Sequence, residues 1–272
     1  MNISAKEVNK LRQATGAGMM DCKKALVEAE GNFDEAIAIL RKKGQKVSEK
    51  RADREAKEGV IATAITADKK MAVITEVNCE TDFVARNEEF QAFAQAVADL
   101  VLATQPDHME ALLATPMGDI TLAEKLNEMT GKIGEKIDVR RFEKAVATGA
   151  VVSYIHPGAR LGVLVELTAE NDDAGRDVAM QVAALDPIAL NADQVSEEIK
   201  QREMTIARDR AINEGKPENI VDRIAQGALN SFFKERVLLD QPFVKDPKQT
   251  VSQMLKKADV DVVKFVRFVL GG

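Results

Sequence analysis

The residues of this chain that could do covalent chemistry are few and badly spaced for it. Cys22 stands beside Lys23 and Lys24 at a helix start, where a thiolate is favoured. A cysteine nucleophile also needs a base, and none lies nearby in sequence, so Cys22 reads as a packed helix residue. Cys79 ends an apolar run and reads as core. The two histidines, His108 and His156, stand in no metal-ligand spacing such as HExxH, and there is no CxxC pair. There is no G-x-x-x-x-G-K-[ST] loop, so the chain does not hold a nucleotide by that device. No cofactor and no metal are therefore expected. What is left is the chemistry of contact. In Asn78-Cys79-Glu80-Thr81-Asp82-Phe83-Val84-Ala85 an aromatic sits beside a carboxylate at a turn between a strand and a helix. Phe83 there is either core or a wedge for another protein.

The elements that position this turn follow from periodicity. From Gly59 the pattern becomes extended. Val60 to Thr66 and Lys70 to Val77 are β-branched runs around Ala67-Asp68-Lys69, a predicted hairpin. Glu88 to Leu102 follows as a helix with Phe90, Phe93, Ala94, Val97 and Val101 on one face. A helix near Leu122 to Met129 and a strand from Lys136 to Lys144 complete the unit. The unit then recurs. A shift of 90 residues aligns Gly59 with Gly149, Val73 with Val163, Glu76 with Glu166 and Gln91 with Gln181. The third strand of the second copy falls at Val262 to Leu270. The duplication bears on Phe83, because its counterpart is Asp173 and that of Asp82 is Asp172. A residue needed by the repeated core would be apolar in both copies, so Phe83 is specific to the first.

Ahead of the first unit lie three short predicted helices. Ser4 with Glu7 is a capping box, and Gly16 fits the position that ends the first helix. The second runs from about Met19 to Ala29, stopped by Gly31. Asn32 caps the third, which carries Phe33, Ala36, Ile37 and Leu40 and is expected to end at Gly44. Residues 1–44 thus form a small bundle, with a charged linker over 45–58, a first unit over 59–146 and a second over 147–272. Of the adjacent Met19 and Met20, one is expected in the bundle core and the other as an adaptable apolar contact.

An insertion of about Pro187 to Thr250 interrupts the second unit. It reads as two helices, Ser196 to Asn213 and Pro217 to Lys234, joined by Glu214-Gly215-Lys216. The second has a stripe of Ile220, Ile224, Ala228 and Phe232, while the first offers only Ile199 and Ile206. Such a polar hairpin is expected to project from the body as a contact with a partner or a second copy.

The chain has 272 residues, 45% hydrophobic and 30% charged, enough for a core. The predicted class is α+β. No run of about 18 apolar residues suggests a membrane span. Met1-Asn2-Ile3-Ser4-Ala5-Lys6 enters an amphipathic pattern without a signal-peptide core, so a cytoplasmic location is expected. Net charge is −6, against the basic footprint of nucleic-acid binders. The one basic region, Arg41 to Lys57, has no aromatic to stack on bases and reads as solvated linker.

Leu11-Arg12-Gln13-Ala14-Thr15-Gly16-Ala17-Gly18-Met19-Met20-Asp21-Cys22-Lys23-Lys24-Ala25-Leu26, taken with Glu76 to Ala85, closely resembles the bacterial elongation factor Ts family. Ser153-Tyr154-Ile155-His156 and Gly158 to Val165 resemble its second-half hairpin. Gln241 to Val244 and Phe265 to Phe268 resemble its C-terminal segment. Pro157 is an apparent extra residue, and some members continue past the position of Gly272 into a further helix. The resemblance implies a guanine-nucleotide exchange factor that binds elongation factor Tu in its GDP-bound and nucleotide-free forms, without direct contact to nucleic acid or membrane. It implies that Thr81, Asp82, Phe83 and Val84 displace Mg²⁺ from the partner's nucleotide site, with Phe83 as the wedge. It also implies that Leu11, Met19, Met20 and His156 touch the partner, and it allows a homodimer through the hairpin. The bundle is similar to ubiquitin-associated domains, which bind through the loop between their first two helices. The alternative function is therefore a general protein-binding scaffold. An enzyme would instead show turnover dependent on Cys22 or His156.

Overall fold

The structure, a computed structural model, describes residues 3–272. Met1 and Asn2, where the N-terminal reading begins, lie outside the described residues. Helix α1 (Ala5–Thr15) opens with the capping box: Ser4 Oγ accepts from the Glu7 amide, and the Glu7 carboxylate accepts from Ser4 N at 2.8 Å. Gly16, at φ +67°, closes it in the left-handed conformation that glycine tolerates. Helix α2 (Met19–Glu28) and helix α3 (Phe33–Lys50) complete the bundle, the Asn32 side chain accepting from the amides of Asp34 and Glu35. Val8, Leu11, Cys22, Ala25, Leu26 and Ala36 form its core.

The first unit comprises β1 (Glu58–Ile65), β2 (Met71–Cys79), the one-turn helix α4 (Asp82–Ala85), α5 (Glu88–Thr104), α6 (Met109–Ala114), β3 (Pro116–Met117), β4 (Ile120–Thr121), α7 (Leu122–Ile133) and β5 (Asp138–Val146). The second comprises β6 (Ala150–Ile155), β7 (Leu161–Leu167), α8 (Asp172–Leu185), α9 (Glu197–Asn213), α10 (Glu218–Arg236), β8 (Pro242–Phe243), β9 (Asp246–Thr250), α11 (Val251–Lys257) and β10 (Val262–Val269). Both main sheets are antiparallel and three-stranded, ordered β1-β2-β5 and β6-β7-β10. They pack face to face, with helices on both outer faces. Alternation along β2 explains this: Val73 and Val77 turn toward α5 and α7, while Ala72 and Ile74 meet Leu164, Val266 and Phe268 of the other sheet. The central strands are thus buried on both faces, which is why they read as largely apolar runs.

The duplication extends further than the sequence reading. Each unit places a two-stranded hairpin and a capped helix before its last strand: β3, β4 and α7 in one, β8, β9 and α11 in the other. Thr121 with Glu124 and Thr250 with Gln253 are capping boxes at matching places. The true insertion therefore ends before Pro242, and α11 belongs to the repeated body. Within the insertion, the buried stripe of α10 is Val221, Ala225 and Leu229, one residue on from the stripe expected, and Ala228 is exposed. The crossing of α9 and α10, rather than apolar spacing along α10 alone, sets which side faces inward. Among the described residues, no helix is long and apolar enough to cross a membrane.

Helix α3 does not end at Gly44. It runs on to Lys50, with Gly44 buried against α7. A Cβ on Gly44 would lie 2.9 Å from Asn127 O, and one on Gly131 would lie 2.6 Å from the Gly44 Cα. Two glycines let the helix backbones touch, and Arg41 Nε closes the crossing on Glu128 Oε1 at 3.0 Å. Tertiary packing has overridden the stop signal. Residues 45–50 of the expected linker continue α3, and the bundle is docked on the body.

Candidate partner-binding site

The turn after β2 is built by hydrogen bonds from outside itself. Thr81 is the N-cap of α4, its hydroxyl accepting from Val84 N at 3.4 Å. That hydroxyl donates to Glu135 Oε1 at 2.7 Å, and Glu135 Oε2 accepts from the amides of Glu80 at 3.2 Å and Thr81 at 3.0 Å. The grip is reciprocal. Glu80 Oε1 accepts from Lys136 N at 2.7 Å and from Arg51 Nη1, at the end of α3, at 2.6 Å. Burial pushes the Glu80 carboxyl up, but the Lys136 amide and the Arg51 guanidinium outweigh it, so the carboxyl sits below its ordinary range. Beneath the turn, Cys79 Sγ donates to Thr81 O at 3.2 Å. Burial, then the Glu135 and Glu58 carboxylates, push its thiol up to about 12, so Cys79 is neutral and not a nucleophile near pH 7.

On this held turn Phe83 is 83% exposed, the most exposed large apolar side chain among the described residues. Its neighbours behave differently: Val84 packs partly on the core and Ala85 is buried. Burying a Phe is worth roughly 1.5–3 kcal/mol, which this fold forgoes at Phe83. Phe83 is therefore not core. Asp82, next to it, pairs with Arg86 at 3.0 Å.

Asp82 and Arg86 line one groove with His156, Gly158 and Arg160, along the free edge of β1. The turn after β6 reaches that edge because Ile61 N donates to Ala159 O at 2.7 Å. His156 is exposed, its Nδ1 3.0 Å from the Tyr154 hydroxyl. The structure thus brings His156 from the second unit to the same groove as Asp82 of the first.

The bundle residues fall differently from expectation. Leu11 is fully buried in the bundle core, so it supports the α1–α2 loop and offers no side chain to a partner. Met19 and Met20 are 56% and 62% exposed, so neither is core. At the first turn of α2, Cys22 takes the inward place that one Met was expected to fill. Glu135 and Arg51 carry no signal in the sequence, since they lie 54 and 29 residues from their partners and no local motif joins them. Among the described residues no group of His, Cys, Asp and Glu is arranged to hold a metal ion.

The family model described as Elongation factor TS matches residues 80–272. The chain is 48% identical to "Elongation factor Ts" of Amoebophilus asiaticus, over all of both chains. It is 47% identical to the protein of that name from Hydrogenovibrio crunogenus, over all of this chain and 92% of the other. The Clostridioides difficile protein of that name is also 47% identical, over 99% of this chain and 93% of the other.

Proposed function

This chain belongs to the elongation factor Ts family and so serves the elongation stage of protein biosynthesis; we propose that it acts there as the guanine-nucleotide exchange factor of elongation factor Tu, in the cytoplasm, with Phe83 as the wedge. The observation that carries the reading is Phe83 itself: a large aromatic, exposed, on a turn held by three hydrogen bonds to Glu135. A general scaffold has no need of such a fixed probe.

The mechanism is one of linkage. In a GTPase, Mg²⁺ offsets the charge of the bound phosphates. A side chain that enters between helices of the GTPase domain and shifts the Mg²⁺ ligands weakens the nucleotide. Partner and nucleotide then lower each other's affinity by the same factor. Phe83 supplies the apolar wedge, Asp82 the charge beside it, and Thr81 and Val84 hold the turn. His156 adds a contact from the second unit, and Met19 and Met20 a separate adaptable one on the bundle. No covalent bond is made or broken. The test is release of fluorescent GDP from elongation factor Tu. Catalytic amounts of this chain are expected to accelerate it, and an unchanged rate rejects the proposal.

A further inference from the structure

The hydrogen bonds of the Glu135 side chain go to the turn. The residue is half-buried in the α7–β5 loop and receives three donors, Glu80 N, Thr81 N and Thr81 Oγ1, within 3.2 Å. All three lie in the two residues before Asp82. The return contact, Lys136 N to Glu80 Oε1 at 2.7 Å, runs between the same two segments in the opposite sense. Two loops 54 residues apart in sequence are thereby latched by paired carboxylates. Arg51 closes on Glu80 from the end of α3, tying the long bundle helix to the same latch.

A one-turn helix is too short to be stable alone, because nucleation fixes several dihedrals for one bond. The orientation of α4, and hence of Phe83, must come from outside it. The second unit supplies a natural contrast. There the corresponding residues, Asp172 to Gly175, are the first turn of the 14-residue helix α8, which needs no such latch. The first unit breaks that helix into α4 and α5 and holds the fragment with Glu135.

We infer that Glu135 is a positioning residue for partner recognition: its carboxylate pre-orders the turn so that Phe83 meets the partner in one orientation. The inference rests on the exchange reading above. Pre-ordering removes an entropic loss from binding, and the effect is greatest in the step that requires Phe83 to be inserted. Glu135→Gln should largely preserve it. The amide oxygen can accept both backbone N–H groups, and the NH₂ can donate to Thr81 Oγ1 in place of accepting from it.

The chain has no tryptophan, so Phe83→Trp places a single tryptophan on the turn. In that background Glu135→Ala is expected to lower the fluorescence anisotropy of Trp at 83, and Glu135→Gln to restore it. With Phe83 in place, Glu135→Ala should slow GDP release at saturating chain roughly tenfold, with a smaller change in the affinity for the GTPase. Thr81→Val replaces the hydroxyl with a methyl group, losing its bonds to Glu135 and Val84 N, and should loosen the turn in the same direction, which keeps the test decisive if Glu135→Ala does not fold. Unchanged anisotropy overturns the inference. So does a loosened turn with unaltered release. If the unmodified chain releases no GDP, the exchange reading fails, while anisotropy still decides whether Glu135 orders the turn.

Discussion

Glu76 and Arg141 meet across a β-bulge, Arg141 Nε donating to Glu76 Oε2 at 2.7 Å. Glu76 is fully buried, and its other oxygen accepts from Asn78 Nδ2 at 3.2 Å and Gly271 N at 2.8 Å. The Arg141 guanidinium lies 4.1 Å from the centre of the Phe268 ring, and Nη2 donates to Val269 O at 2.8 Å. The pair therefore ties the end of the second unit into the first. The same register recurs in the second unit, where Glu166 stands opposite Lys264 beside an equivalent bulge. Burial pushes the Glu166 carboxyl up, and Lys264 only partly draws it back. The bulge is thus part of the repeated plan, and only the first copy carries the fully buried acid.

Removing Glu76 should destabilise the body. Glu76→Ala leaves Arg141 without its counter-charge and strips Asn78 and Gly271 of an acceptor. One-sided loss of a fully buried pair typically costs roughly 3–5 kcal/mol, and because the Arg141 side chain is 33% exposed the cost here should fall below that range. The midpoint of urea unfolding should fall accordingly. Replacing both members, Glu76→Leu with Arg141→Met, should recover part of the loss. An unchanged midpoint in the single variant would show that the pair does not hold the units together.

Phe83→Ala should do the reverse. Phe83 is exposed, so its removal leaves no cavity and the melting temperature should barely move. GDP release should fall strongly, because truncated interface anchors commonly cost about 2–4 kcal/mol. Full activity in a normally folded variant would remove Phe83 from the mechanism.

Much of this was legible in the residues. The strands and the capped helices follow from alternation and capping, which are local signals, and the 90-residue shift from matched residues such as Glu76 and Glu166. Phe83 stood out because Asp173 breaks the repeat. What escaped was non-local. Gly44 looks like a helix stop until Gly131 is known to lie against it. The resemblance offers Leu11 to a partner, but α2 closes over it. Glu135 is one acid among 44 Asp and Glu residues, and only the tertiary fold brings it to Thr81.

The docking of the bundle can be tested at Gly131. A Cβ there would lie 2.6 Å from the Gly44 Cα, backbone that has nowhere to go. Gly131→Ala should push α3 from α7 and lower stability by about 1–3 kcal/mol, the usual range for overpacking. Scattering should show a larger radius of gyration. An unaltered radius would mean that the helices accommodate the methyl without separating.

Acid should weaken the turn before it unfolds the body. The Glu80 carboxyl is depressed in the folded chain from an ordinary value of 4.5. Its stabilising contribution is therefore full above about pH 4.5 and is lost as pH falls through the folded value. Glu80→Gln has no such titration. The stability difference between the unaltered chain and Glu80→Gln should be constant near neutrality and shrink below about pH 4.5. A difference independent of pH would show that Glu80 is not held by Lys136 and Arg51 in solution.

The helical hairpin separates into a base that packs and a tip that does not. At the base, Asp186 pairs with Arg236 at 3.4 Å and with Arg267 at 2.8 Å, joining the end of α10 to β10. Val237 and Ala189 are buried there, with Phe232 and Phe233 packed against them. Toward the tip, Ile206 and Ile212 are 55% and 61% exposed, and α9 buries only Ala211. Excising Ala207 to Ile224 and joining the ends with a short Gly/Ser link should therefore cost the body little stability. It does discard Val221 and the Arg208–Asp222 pair, but that pair is exposed and exposed pairs contribute little. GDP release should persist in part, because Asp82, Phe83 and His156 lie far from the hairpin in the chain. If the exposed Ile212 joins two copies, the excised protein should sediment as a monomer where the full chain sediments as a dimer. An unchanged oligomer places the contact elsewhere, and a body that unfolds on excision shows that the tip supports the base.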